Sequence, residues 1–211
     1  MPTRQIAAFD FDGTLTKRDT LLSFLGWSCG RPALVRALAS AAPTALRART
    51  GRLVDSTHPR DASKAVLLDR LLARRTQDWF DHHGEQFAST LTDRLRPDVV
   101  ARLAWHREQG HELIIVSASL HTYLDHFAET HGFDHVIAVE MEVVDGVLSG
   151  ALVGPNVRGP EKAVRLRRWL GDDVDDTQLW AYGNSSGDRE LLAMAHAPTW
   201  VTRPALTPPP V

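Results

Sequence analysis

Ile6-Ala7-Ala8-Phe9-Asp10-Phe11-Asp12-Gly13-Thr14 sets four apolar residues directly before two carboxylates one residue apart. The apolar run is too short for a helix and stops where Gly13 breaks the pattern. It reads as a buried strand ending in a functional turn. Two later stretches repeat the arrangement. Leu113-Ile114-Ile115-Val116 ends at Ser117-Ala118-Ser119, and a strand over Gln178 to Tyr182 ends at Gly183-Asn184. Strands without a polar face, alternating with helical segments, indicate a mostly parallel sheet covered by helices on both faces. Such sheets hold ligands beyond the carboxyl ends of their strands, so these three polar ends are expected at one site.

The segments between agree. Asp98 to Gln109 is helical, with Gly110 where a C-terminal cap belongs. A helix through Tyr123 and Phe127, a strand over Val136 to Val139, and a hairpin (Met141–Val144, Val147–Leu152) turning at Asp145-Gly146 follow. Glu161 to Leu170 and Arg189 to Ala195 are helices, and Trp200-Val201 is a last short strand. From Thr20 to Phe87 the pattern is helical throughout, with stripes at Leu21, Leu22, Phe24 and Leu25, at Val35, Leu38, Ala42 and Leu46, and at Val66, Leu67, Leu71 and Leu72. Pro32, Pro43 and Pro59 punctuate these helices. The expected organisation is a Rossmann-like α/β core over 1–18 and 89–211 with an all-helical cap, 19–88, inserted after the first strand. The tryptophans, Trp27 and Trp79 among them, suit core or interface, with the core expected; the apolar stretch Leu34 to Leu46, interrupted by Arg36 and of little bulk, is expected to pack in the core rather than touch a membrane surface.

Apolar residues make up 43% of the 211, enough for a real core, and the formal net charge of -2 gives no reason to expect nucleic acid. The single Cys29 excludes an intrachain disulfide framework and fits a reducing compartment. With no export signal and no spanning stretch, a soluble cytoplasmic protein without stable membrane insertion is expected. The oligomeric state is not written in the sequence.

Four motifs carry chemistry. Asp10 and Asp12 at a strand end supply a nucleophile and a proton donor, and with a divalent cation they suit attack on an anionic phosphate. An EF-hand is excluded, since Gly13 comes too early and later ligands are missing. The Ser117 hydroxyl and the amides after it, Ala118 first, suit a phosphate at a helix N-terminus. Lys162, in the opening turn behind Gly159-Pro160, can neutralise Asp10 and a bound phosphate. Asn184 and Asp188, in Tyr182-Gly183-Asn184-Ser185-Ser186-Gly187-Asp188, suit metal ligation. Each motif alone also has an ordinary structural reading: an Asp-Gly turn, a helix N-cap at Ser117, a solvated lysine, and an N-capping Asp188. Their order along one alternating fold favours the chemical one.

Taken together the four motifs resemble the haloacid dehalogenase superfamily of phosphatases. The helical insertion after the first motif is similar to the cap of its phosphoserine phosphatase-like branch. The resemblance covers almost the whole chain and implies a Mg²⁺-dependent phosphomonoester hydrolase working through an aspartyl-phosphate. It implies Asp10 as nucleophile, Asp12 as acid and then base, and Ser117, Ala118, Gly13 and Thr14 around the phosphate. Lys162 would steady the charge, and Asp10, the Asp12 carbonyl, Asn184 and Asp188 would hold magnesium. Family members commonly have an aspartate where this chain has Asn184, which implies weaker metal binding, partly offset by Asp188. Asp19 lies where phosphoserine phosphatases read the substrate ammonium. Arg49, with Arg47 and Arg52, offers charge to an acidic group or forms a solvated basic helix face. The implied partner is a small phosphorylated metabolite such as phosphoserine. A lipid headgroup phosphate such as phosphatidylglycerol phosphate, a phosphotransferase reaction and a catalytically silent relative stay open beside it.

Overall fold

The computed structural model describes residues 4–49, 58–202 and 206, with the side chains of 44–49 and of Pro59 outside that description. In chain order the elements are β1 (Arg4–Phe9), α1 (Leu21–Ser28), α2 (Arg31–Arg49), α3 (Pro59–Leu72), α4 (Gln77–Ala88), α5 (Pro97–Glu108), β2 (Glu112–Leu120), α6 (His121–Thr130), β3 (His135–Val139), β4 (Met141–Val144), β5 (Val147–Leu152), α7 (Pro160–Leu170), β6 (Thr177–Gly183), α8 (Arg189–Met194) and β7 (Ala197–Trp200). They fall into two compact units, one of residues 1–20, 84–139 and 157–211, the other of 21–83 and 140–156.

In the first unit five strands form a wholly parallel sheet in the order β3-β2-β1-β6-β7. This is the α/β architecture expected. The chain builds outward from β1 in both directions, so β1 is central, flanked by β2 and β6. Ile6, Ala7, Ala8 and Phe9 are all fully buried. That accounts for a run with no polar alternation, since neither face of the strand meets water. Phe9 pairs with Ile115 on one side and Tyr182 on the other, and its ring stacks on Tyr182 at 4.4 Å. Asp10 therefore emerges where the strand order reverses, the place in open α/β sheets where ligands bind. Behind the same rings, His106 of α5 meets Tyr182 Oη through Nε2 at 2.9 Å and His111 Nδ1 through its own Nδ1 at 2.7 Å.

In the second unit α1 to α3 and the first part of α4 are joined by the β4–β5 hairpin. The hairpin turns at Asp145 (φ 52°) and Gly146 (φ 76°), the left-handed pair that a two-residue turn requires. It is tied to the chain after α3 by Arg74 N–H to Leu148 O (2.9 Å), Leu148 N–H to Arg75 O (2.8 Å) and Gln77 N–H to Gly146 O (2.9 Å). Lys64 Nζ donates to Asn156 Oδ1, and Asn156 Nδ2 donates to Asp61 Oδ1, both at 2.6 Å.

Three expectations are corrected here. Pro43 lies inside α2 and does not end it. A proline there forfeits one intrahelical bond, to the carbonyl of Ala39, and Ala39 and Pro43 are both exposed, where water can serve that group. Among the residues of α2 whose side chains are described, those buried in the core are Ala37 and Ala41, while Val35 and Leu38 of the expected core stripe are 64% and 40% exposed. The small alanines win the inner side because they let α2 lie close against its neighbour. Trp27 and Trp200 are exposed as well, each at 47%. Among the described residues no helix is long and apolar enough to cross a membrane.

Candidate active site

Every site residue described below belongs to the first unit. Asp10 follows β1 directly, its N–H donating to Tyr182 O at 2.9 Å. The chain then turns through Gly13 at φ +80°. A Cβ there would stand 2.0 Å from Asn184 Nδ2, so glycine is needed for both the conformation and the space. The turn brings Thr14 back, and its hydroxyl donates to Asp10 Oδ2 at 2.9 Å. Lys162 Nζ donates to Asp10 Oδ1 and to Asp188 Oδ1, each at 2.6 Å, and is 2% exposed. The ordinary reading of a solvated lysine is thereby excluded. Burial alone would lower the Lys162 pKa, but the two carboxylates outweigh it and hold it above the usual lysine value. Burial likewise works against the Asp188 charge, yet Lys162 and the Ser185 donors keep its pKa below the ordinary range.

Asp12 is held from the other side. Its Oδ1 accepts from Thr20 N–H at 2.8 Å and Thr20 Oγ1 at 2.7 Å, and its Oδ2 accepts from Ser119 Oγ at 2.5 Å. The Thr20 hydroxyl also lies 3.2 Å from Tyr123 Oη. Burial, then the charge of Asp19, push the Asp12 pKa up to about 7, with Asp10 adding to the rise against the pull of Ser119 and Thr20. Asp12 thus changes protonation state near neutrality.

Asp188 closes the loop after β6. Its Oδ2 accepts from Asn184 N–H (3.1 Å), Ser185 N–H (2.9 Å) and Ser185 Oγ (2.9 Å). Gly183 makes room for it, since a Cβ at that position would lie 2.4 Å from Asp188 Cβ. With one oxygen on Lys162 and the other on three donors, Asp188 positions the loop. The Asn184 carboxamide makes no hydrogen bond with any described residue and packs against Gly13. Ser117 is buried and accepts from Ser119 N–H at 3.0 Å. It is neither a helix N-cap nor at the helix N-terminus expected from the sequence, because β2 runs on to Leu120 and α6 begins at His121. Asp19 is exposed, and the Arg49 side chain and Arg52 lie outside the described residues.

The fold therefore brings Asp10, Asp12, Gly13, Thr14, Lys162, Asn184 and Asp188 together, with Ser117 beside Ser119. Sequence reasoning missed Ser119 and Thr20 as anchors of Asp12. Ser119 had a signal, since in extended backbone residues two apart share a side of the strand, and Ser117 was already singled out. Thr20 had none beyond being a hydroxyl residue before a helix. Among the described residues no three His, Cys, Asp or Glu side chains cluster as a metal site. The oxygen-bearing groups of this turn and loop are instead a mixed set: the Asp10 carboxylate, the Asp12 carbonyl and the Asn184 carboxamide that packs against Gly13. Two carboxylates share one lysine there, and burial, with the Asp188 charge, raises the Asp10 pKa against the pull of Lys162 and Thr14. Such a set fits a hard cation that keeps several waters, as Mg²⁺ does.

The family model for haloacid dehalogenase-like hydrolases matches residues 7–193. Protein CicA of Caulobacter vibrioides is 35% identical over 192 residues, covering 90% of this chain and 82% of that protein. Phosphoserine phosphatase SerB2 of Mycobacterium tuberculosis is 28% identical over 196 residues, 92% of this chain but 43% of the longer protein. A crystal structure from Bordetella pertussis Tohama I superposes with a TM-score of 0.73 at 25% identity, covering 90% of this chain and 86% of that one.

Proposed function

Because the chain belongs to the haloacid dehalogenase-like hydrolases, we propose that it is a phosphatase of their phosphoserine phosphatase-like branch and hydrolyses the phosphate ester of a small metabolite through an aspartyl-phosphate at Asp10. One observation carries this reading: a buried Asp10 held by Lys162 stands two residues from an Asp12 whose pKa is about 7. The Asp10 carboxylate attacks phosphorus. The P–O bond to the alcohol breaks, and the leaving oxygen takes its proton from Asp12. Water then attacks the phosphorus of the acyl phosphate, giving its proton to Asp12, and inorganic phosphate and the free Asp10 carboxylate result. Lys162 offsets charge on Asp10 and the phosphoryl oxygens. The Ser117 hydroxyl, whose hydrogen goes to no described residue, and the amides near Ala118, Gly13 and Thr14 are the donors for those oxygens.

Asp10, the Asp12 carbonyl and Asn184 would hold Mg²⁺, with Asp188 fixing the Asn184 loop. Magnesium bound there would neutralise charge between the carboxylate and the phosphate. Phosphoserine is the leading substrate, because SerB2 bears that name and the charge of Asp19 reaches the site, where it can attract an ammonium. We would measure hydrolysis of an aryl phosphate with Mg²⁺, with EDTA and in Asp10→Asn. Turnover should need the cation and fall by about 10³-fold or more in the variant. Metal-dependent activity surviving in Asp10→Asn would sink the mechanism. With phosphoserine as substrate, Asp19→Asn should raise KM while leaving aryl phosphate turnover in place.

A further inference from the structure

Residues 20–54 differ in charge from the rest of the chain. They contain five arginines (Arg31, Arg36, Arg47, Arg49 and Arg52) and no Asp or Glu, in a protein that carries 24 Lys and Arg against 26 Asp and Glu. Within this stretch α2 buries Ala37 and Ala41, four residues apart on one side. Its exposed positions include Arg31, Val35, Arg36, Leu38, Ala39 and Ala42. Val35 and Leu38 are 64% and 40% exposed, and Trp27 near the end of α1 is 47% exposed. Single exposed apolar residues need no explanation, but here they stand with the exposed Arg31 and Arg36 on a helix whose sequence holds no acid, and that gives its surface a directed chemistry.

Two properties select what covers it. Arginines without acids select an anionic partner. Valine, leucine and tryptophan side chains select one with hydrocarbon beneath the charge. A nucleic acid offers phosphates but nothing for aliphatic groups to enter. An anionic lipid leaflet offers both, with headgroup phosphates for the arginines and an acyl boundary for the apolar side chains. We propose that the exposed side of α2, with the adjoining end of α1, docks on an anionic lipid surface and lies along it. The inference is independent of the reaction proposed above, since α1 and α2 supply none of the residues assigned to it.

The test is co-sedimentation of the full chain at low salt with two kinds of vesicle: equal parts phosphatidylglycerol and phosphatidylcholine, and phosphatidylcholine alone. The protein should pellet with the anionic vesicles and stay in solution with the neutral ones. Arg36→Gln should lower partitioning about fivefold, and the double variant Val35→Asp, Leu38→Asp should abolish it while the melting temperature and aryl phosphate turnover hold. Should the double variant unfold, Arg31→Gln with Arg36→Gln carries the test, with a larger loss than either alone expected. The proposal is overturned by failure of the unaltered protein to pellet with anionic vesicles, by equal binding to neutral ones, or by folded charge and apolar variants that bind undiminished. A concentration-dependent dimer that the double variant dissociates, with no vesicle binding, would assign the surface to a second copy instead.

Discussion

Lys162 is shared between two carboxylates, and that sharing sets what its loss would do. Lys162→Met keeps the bulk of the side chain but leaves Asp10 and Asp188 buried without their cation. Removing one partner of a buried ion pair costs about 3–5 kcal/mol. The urea midpoint should therefore fall sharply at neutral pH and recover partly in acid, where the carboxylates can take up protons. Recovery marks the loss as electrostatic, and a pH-independent loss would mean packing alone. Asn184 makes the opposite experiment. Asn184→Asp adds a carboxylate beside two that already share one lysine, so the variant should be less stable in EDTA. It should need roughly tenfold less magnesium for half-maximal turnover. An unchanged magnesium requirement would remove Asn184 from the metal site. Asp10 and Asp12 were legible in sequence only together with the three later motifs, because two carboxylates before a glycine read equally well as an Asp-Gly turn. Thr20 was not, because its role depends on the chain returning to Asp12 after eight residues.

At the scale of elements, the contact between α4 and α6 depends on Gly84. A Cβ there would lie 2.1 Å from the Thr122 carbonyl oxygen. Gly→Ala inside a helix ordinarily gains about 1 kcal/mol, but here the close backbone approach wins. Gly84→Ala should destabilise by about 1–3 kcal/mol as the helices are forced apart. A variant as stable as the parent would show that the two helices separate freely. The strands were readable because a short apolar run without alternation fits a parallel sheet covered on both faces, and the hairpin because Asp145-Gly146 specifies its turn. The side that α2 buries was not. Val35, Leu38 and Ala42 recur at helical spacing and look like a core stripe, but helical periodicity identifies a face without saying which face turns inward. Alanines at 37 and 41 took that place through close packing, which no hydrophobicity scale reports.

At the scale of the whole molecule, the buried histidine ties stability to pH. Burial, with the charges of His111 and Arg102 adding to it, lowers the His106 pKa to about 3. In the unfolded chain the same group titrates near about 6.5. Between these values the unfolded state binds a proton that the folded state refuses, so stability falls as pH drops below about 6.5 and levels off near 3. Urea midpoints at pH 7 and pH 5 should differ, and His106→Asn should shrink the difference. An unaltered slope would place the acid sensitivity elsewhere. The central place of β1 has a consequence in time. On a ribosome adding roughly 5–20 residues per second, β1 emerges about 10–30 s before β6 is complete. For that interval the central strand of the sheet has one edge unpaired, and Asp10 at its tip has neither Lys162 nor the loop after β6. The order of translation thus leaves the central strand of the sheet half-paired until Thr177 to Gly183 are made.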